Sequence, residues 1–290
     1  MSPAPGRRAR RVAAAAVVLL ALAGCARRAG SPAAVTASPG TPVDSATVAL
    51  WRMDETGGTR AADSGPHRLD AVAGEDTRTT FGRFRGARVF AASANSFLVV
   101  PPSPALDLGP AFTIECWLAP NAFSMYEDMT IAARWVPSTD DRSWVFAVVG
   151  AGAAPSPGWH DAFVRSGRMG HLVFGFQPEE AGLPLAYHSL TALEPGRWTH
   201  VAVTCDGRVL RFWLNGEPDG TFATPGRVRP SRAPLLVGNF FDPRFLTDFG
   251  GELRLDPSAS QGSQYAFDGG MDELRISAVA RTRFPLGGGR

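Results

Sequence analysis

From position 200 the chain alternates strictly. Val201, Val203 and Cys205 fall on one face, and His200, Ala202 and Thr204 on the other. A period of two is the mark of a strand with one face turned to a core. After Asp206-Gly207 the alternation resumes, with Leu210, Phe212 and Leu214 on one side and Arg211 and Trp213 on the other, and Asn215-Gly216 closes it. Asp-Gly and Asn-Gly tolerate positive φ in two-residue hairpin turns, so the stretch predicts a tightly wound β-meander. Short alternating segments recur at 47–51, 87–90, 97–100, 112–118, 144–149 and 171–176. Scattered Gly and Pro (32 and 24 residues) separate them, and no long apolar stripe of period 3.6 appears beyond the N-terminal region. Short strands divided by turn residues at this density predict an all-β fold, two antiparallel sheets packed as a jelly-roll sandwich.

The N-terminal region follows another pattern. Arg7, Arg8, Arg10 and Arg11 precede an apolar run at 12–22. That run is shorter than the roughly 20 residues a membrane-spanning helix needs, and a basic start before a short apolar stretch predicts a secretory signal. It ends in Leu22-Ala23-Gly24-Cys25, which resembles a bacterial lipobox and implies a lipid-modified Cys25 at the mature N-terminus. Residues 1–25 are therefore expected as a lipoprotein signal peptide. Residues 26–45, rich in Ala, Pro, Gly, Ser and Thr without an aromatic, are expected as a flexible linker, because such a composition buries too little apolar surface to offset ordering. A single domain is expected over 46–282, and 283–290 as a disordered tail. The expected location is exported and lipid-anchored to the cell envelope, with the domain facing outward.

Charge excludes some partners. The formal net charge is +2, and without the four leader arginines it falls to −2. No basic patch remains to suggest nucleic acid. The chain contains no lysine. Apart from Cys25 there are two cysteines, Cys116 and Cys205, both on the apolar side of their strands. An exported protein permits a disulfide between them, and buried thiols are the alternative.

Six motifs in order carry a resemblance. They are Ala49-Leu50-Trp51-Arg52-Met53-Asp54-Glu55, Asp63-Ser64-Gly65-Pro66-His67, Phe112-Thr113-Ile114-Glu115-Cys116-Trp117, Arg142-Ser143-Trp144, the meander from Trp198, and Met271-Asp272-Glu273-Leu274-Arg275-Ile276. From Val48 to about Thr282 the chain resembles the laminin G-like, concanavalin A-like lectin/glucanase jelly rolls, including their pentraxin relatives. The resemblance implies that the first and last strands are neighbours, and that Trp51, Trp117, Trp144, Trp198 and Trp213 are framework.

The resemblance also implies a structural calcium ion (Ca2+) tying the turn after the first strand to the last strand. Asp63 and Asp272 would supply carboxylates, and Gly65 or His67 carbonyl oxygen, the hard donors that calcium takes. The alternative is that Asp63 shapes an Asx-turn. A pentraxin-type ligand calcium would need an acid where Phe240 stands in Asn239-Phe240-Phe241-Asp242, so a phosphate ligand is not implied.

Laminarinase-type glycosidases share this fold, but their Glu-x-Asp-x-x-Glu run is absent. Such catalysis needs two carboxyls about 5 Å apart. Adjacent pairs such as Asp54-Glu55 and Asp272-Glu273 would point to opposite faces of a strand. Neither a nucleophile elbow nor a phosphate loop occurs. The expectation is a non-catalytic surface lipoprotein that binds a carbohydrate or glycoconjugate, with a protein-interaction module as the alternative. Aromatic and polar residues outside the motifs are the candidate contacts: Trp159, His160, Tyr126 and Tyr187.

Overall fold

A strand forms at each of the six alternating segments and through the meander. The structure, a computed structural model, describes residues 40–151, 168–180, 182–224, 226–250, 252–258 and 265–287. Cys25, the leader, Trp159 and His160 lie outside the described residues. Among the described residues no helix is long and apolar enough to cross a membrane.

Strands are numbered along the chain. The first sheet joins β1 (Thr47–Trp51), β4 (Arg78–Phe81), β5 (Gly86–Phe90), β7 (Ala111–Pro120), β12 (Thr199–Asp206), β13 (Val209–Leu214), β14 (Glu217–Ala223) and β18 (Gly269–Ser277). Its order is β14-β13-β12-β7-β18-β5-β4, with β1 also paired to β18. The second sheet runs β11 (Leu185–Ala192), β10 (His171–Phe176), β9 (Asp141–Val148), β8 (Met129–Val136), β15 (Leu235–Val237), β6 (Leu98–Val100), β3 (Ala71–Ala73), β2 (Arg60–Ala61). A separate hairpin joins β16 (Leu246–Phe249) and β17 (Glu252–Leu255), outside the alternating segments read from the sequence. Every pairing between named strands is antiparallel, and the first strand lies beside the last, as expected.

Between the sheets, Ile114, Cys116, Val201, Val203, Phe212, Phe146, Phe174 and their neighbours form one core. Trp51, Trp117, Trp144 and Trp213 are buried framework. The indole of Trp51 donates to Leu69 O at 2.8 Å and that of Trp213 to Thr204 Oγ1 at 2.9 Å, whereas the indole N–H groups of Trp117 and Trp144 have no protein acceptor. Trp198 is only partly buried.

The two turns of the meander differ. Asn215 (φ 49°) and Gly216 (φ 81°) form the expected turn with positive φ at both positions. The other turn is shifted by one residue. It is made by Gly207 (φ 88°) and Arg208, while Asp206 ends β12 and its carboxylate accepts from the amides of Arg208 and Val209.

Cys116 and Cys205 are free and buried. Val201 faces Cys116 and Cys205 faces Phe112, so the two thiols sit four residues apart along adjacent strands. That spacing is about 13 Å, beyond the roughly 7 Å that a bridge tolerates.

Two boundaries move. The linker expected to reach residue 45 gives way to ordered chain from Gly40: Thr41 N donates to Glu273 Oε2 at 2.9 Å, and Arg275 Nη1 to Pro42 O at 2.8 Å. The tail expected from 283 is packed through Leu286: Phe284 seats its ring 4.9 Å from His200 and 5.3 Å from Trp213, and Leu286 O accepts from Arg83 Nη2 at 3.4 Å. Both terminal segments cover the outer face of the first sheet.

Candidate functional site

The loop between β7 and β8 is shaped by one hydroxyl. Ser124 Oγ accepts from the amides of Tyr126 (3.1 Å) and Glu127 (3.3 Å), a local turn that holds Met125 and Tyr126 outward, 71% and 67% exposed. Phe123 points back and packs against the core. At the loop's other end Asn121 is tied to the strand entering β18, its amide to Asp268 O and its Nδ2 to Asp268 Oδ1, each at 2.9 Å. Between these anchors lies a pocket of about 420 Å³ at one end of the sandwich, with the buried Met129 and Ala266 at its base and Ala92, Met125, Tyr126 and Asp268 nearer its rim. An apolar floor, an exposed phenol ring and a few fixed polar groups are what a small-ligand site requires.

Next to Met129 in the chain stands a buried acid. Asp128 Oδ1 accepts from Gly150 N at 3.2 Å, while Oδ2 has no protein partner. Burial, with Glu127 adjacent, pushes its carboxyl up to about 7.

The expected calcium donors are not brought together. Asp63 bridges to Trp51 on one edge of β1, while β18 pairs with the other edge through Trp51 and Leu274. Asp63 and Asp272 are therefore separated by the width of β1, about 10 Å. Asp63 also spends its carboxylate on backbone, Oδ1 accepting from Leu50 N and Gly65 N and Oδ2 from Leu69 N. Gly65 is buried and His67 is exposed on the turn. The Asx-turn alternative describes Asp63, and Asp63, Gly65, His67 and Asp272 do not fit one ion.

Asp272 instead meets the segment following the first strand through Asp54. The turn joining β4 and β5 is held by both acids, Phe84 N donating to Asp272 Oδ2 (3.1 Å) and Gly86 N to Asp54 Oδ1 (2.9 Å). Asp272 is fully buried and its Oδ1 has no protein partner. Burial, then the negative charges of Glu273 and Asp54, push it up to about 7. Glu273 adopts φ 54°, and the register of β18 against β7 slips between Asp272 and Arg275, so both adjacent carboxylates are buried rather than one facing solvent.

Tyr187 is no open contact. Its ring stacks on Phe176 and packs against Phe222, and its hydroxyl donates to Ala223 O at 3.2 Å, closing the gap between β11 and β14. Of the two expected contacts among the described residues, Tyr126 lines the pocket and Tyr187 does not; Trp159 and His160 fall outside the described residues. Met125 and Asp268 were missed by the sequence. Their signal is weak: a Met-Tyr pair placed between turn residues, breaking the alternation on either side.

Residues 92–283 match the family model Laminin_G_3, of the concanavalin A-like lectin/glucanases superfamily. The chain belongs to this superfamily. Mouse (Mus musculus) pappalysin-1 is 25% identical to this laminin G-like chain over 181 residues, which are 60% of the chain but 9% of pappalysin-1. Among solved structures, the binding domain of Paraclostridial Mosquitocidal Protein 1 superposes with a TM-score of 0.54 at 14% identity, over 81% of this chain and 49% of that one. Domain 4 of AbnA, a GH43 extracellular arabinanase from Geobacillus stearothermophilus, in complex with arabinotriose, gives 0.50 at 18% identity, over 81% and 93%. A botulinum neurotoxin type C structure, whose cell entry depends on interaction with two ganglioside molecules, gives 0.53 at 11%, over 81% and 48%. At these identities the structural likenesses show the fold.

Proposed function

We propose that this is a non-catalytic glycan-binding module, held at the cell envelope by lipid on Cys25. The observation that carries the reading is the pocket beneath Tyr126. It is supported by the AbnA domain, which holds arabinotriose, and by the neurotoxin's ganglioside interaction. Catalysis is disfavoured because Glu115, Asp272 and Glu273, the acids of the two carboxylate clusters on the first sheet, are each at most 1% exposed and so out of a substrate's reach. Binding of the full chain, in detergent, to a glycan array is expected, and Tyr126→Ala is expected to lower it at least about tenfold, a loss of about 1.4 kcal/mol, without moving the melting temperature. A blank array would turn the search to a surface-protein partner, with a broader interface of about 800 Å² a side.

Calcium in this reading belongs at Asp272 and Asp54, not at Asp63. The unpartnered Oδ1 of Asp272 would accept a hard cation, whose charge would relieve the repulsion between buried Asp272 and half-buried Asp54. Calcium is expected to raise the melting temperature relative to EDTA in the native chain and not in Asp272→Asn. A rise retained in Asp272→Asn would place the ion elsewhere, and no rise in the native chain would remove it.

A further inference from the structure

The charge of the pocket narrows the glycan. The sequence carries 29 basic residues, all arginine. None of them is among the described residues lining this pocket, whose acidic residue is Asp268. Glu127 and Asp128 stand directly behind Tyr126 in the chain, both buried, and one oxygen of Asp128 has no protein partner. Among the described residues the site therefore presents the negative charge of Asp268 with no cation beside it. A sialylated, sulfated or phosphorylated sugar would meet like charge in a half-enclosed space, where screening by solvent is weakest.

Asp268 is oriented for recognition. Asn121 Nδ2 occupies its Oδ1 at 2.9 Å and fixes the carboxylate plane, leaving Oδ2 to accept from a ligand. A sugar hydroxyl satisfies that oxygen, but a protonated amine does so with a charge-assisted bond, shorter and roughly twice as strong. The exposed ring of Tyr126 adds to the same preference, since an aromatic face attracts a cation. Met129 and Ala266 offer an apolar floor to the C–H face of a pyranose.

We infer that the pocket selects amino sugars with a free amine, glucosamine-type units of a glycan, over N-acetylated, neutral and anionic sugars. This rests on the glycan-binding reading above. The test titrates the full chain, in detergent and at a pH that keeps the amine protonated, with a glucosamine trimer, an N-acetylglucosamine trimer, maltotriose and sialyllactose. The glucosamine trimer is expected to bind about tenfold or more tightly than the N-acetylated one, and added salt is expected to reduce that margin. Asp268→Asn keeps an oxygen for Asn121, so it is expected to leave the melting temperature unchanged and to bring the two trimers level. Equal affinity for both trimers in the native chain, or tightest binding of sialyllactose, overturns the inference while glycan binding stands. A preference that survives Asp268→Asn overturns the role of Asp268. No binding of any of the four sugars, with a blank array, overturns the glycan reading and the inference with it.

Discussion

Raising the pH from 4.5 to 8 in EDTA is expected to lower the stability of the domain, by about 3 kcal/mol for each of two buried carboxyls. Asp128 and Asp272 are both held near 7 in the folded chain, chiefly by burial. In the unfolded chain each titrates near the ordinary value of 3.8. The folded state therefore keeps a proton that the unfolded state has lost, and stability falls with pH wherever the folded state binds more protons. This contribution is fully present below the unfolded value and is lost as pH rises to about 7, after which both states are ionised and the curve flattens. Each pH unit of offset is worth about 1.4 kcal/mol, which sets the magnitude. The carboxylates shifted downward act in the other direction and in another window. Asp44, Asp70 and Asp206, held low by hydrogen bonds and neighbouring arginines, lose their contribution only as acid carries the pH below the ordinary carboxylate value. Denaturant midpoints across the range measure the effect, and Asp128→Asn and Asp272→Asn should each remove about half of the slope. A midpoint that is flat or rising between pH 4.5 and 8 would show that neither carboxyl is held in its protonated form.

Arg275→Ala is expected to destabilise the domain by about 3–5 kcal/mol, the cost of stranding a buried charge. On the outer face of the first sheet, Arg275 Nε and Nη2 both donate to Glu115 Oε1, at 2.9 and 2.6 Å, and His200 Nε2 lies 3.0 Å from Oε2. All three side chains are at most 3% exposed. Burial raises the Glu115 carboxyl, but His200 and Arg275 outweigh it and hold the group below its usual range. Without Arg275 that carboxylate keeps His200 and, at 3.8 Å, Arg281. The double replacement Glu115→Leu with Arg275→Met removes both charges at similar volume, and it is expected to recover most of the loss, since well-packed apolar substitutes for buried ion pairs are often neutral or better. Urea titrations of the two variants decide the matter. A cost under about 1 kcal/mol for Arg275→Ala would mean that water reaches the pair, as it does in exposed bridges.

The network also shows where sequence pattern stops being informative. Glu115, His200 and Arg275 occupy the polar side of strands whose apolar sides were read correctly as core. Local alternation assigns such residues to solvent. They are buried because residues 40–46 and 278–287, distant in sequence, fold over that face, with Asp44 paired to Arg281 and Phe284 seated on His200. The second sheet is covered in the same way, Phe240 and Tyr265 packing on the outward-facing Trp135, Val145 and Val173. A composition poor in aromatics suggested linker up to residue 45, and short polar ends suggested a free tail. Neither signal registers a partner surface supplied from elsewhere.

Strand positions, the two hairpin turns to within one residue and the core faces follow from period-two alternation and turn chemistry. Those are local properties, set by neighbours a few residues away, and the sequence by itself determined them. The ligand pocket, the meeting of Asp272 with Asp54 rather than Asp63, and the covered outer faces depend on strand register and on contacts between segments far apart. A slip in the register of one strand decides which carboxylates share a space, and no local pattern encodes it. Tertiary structure alone decided these features, because burial and charge proximity are properties of the packed chain.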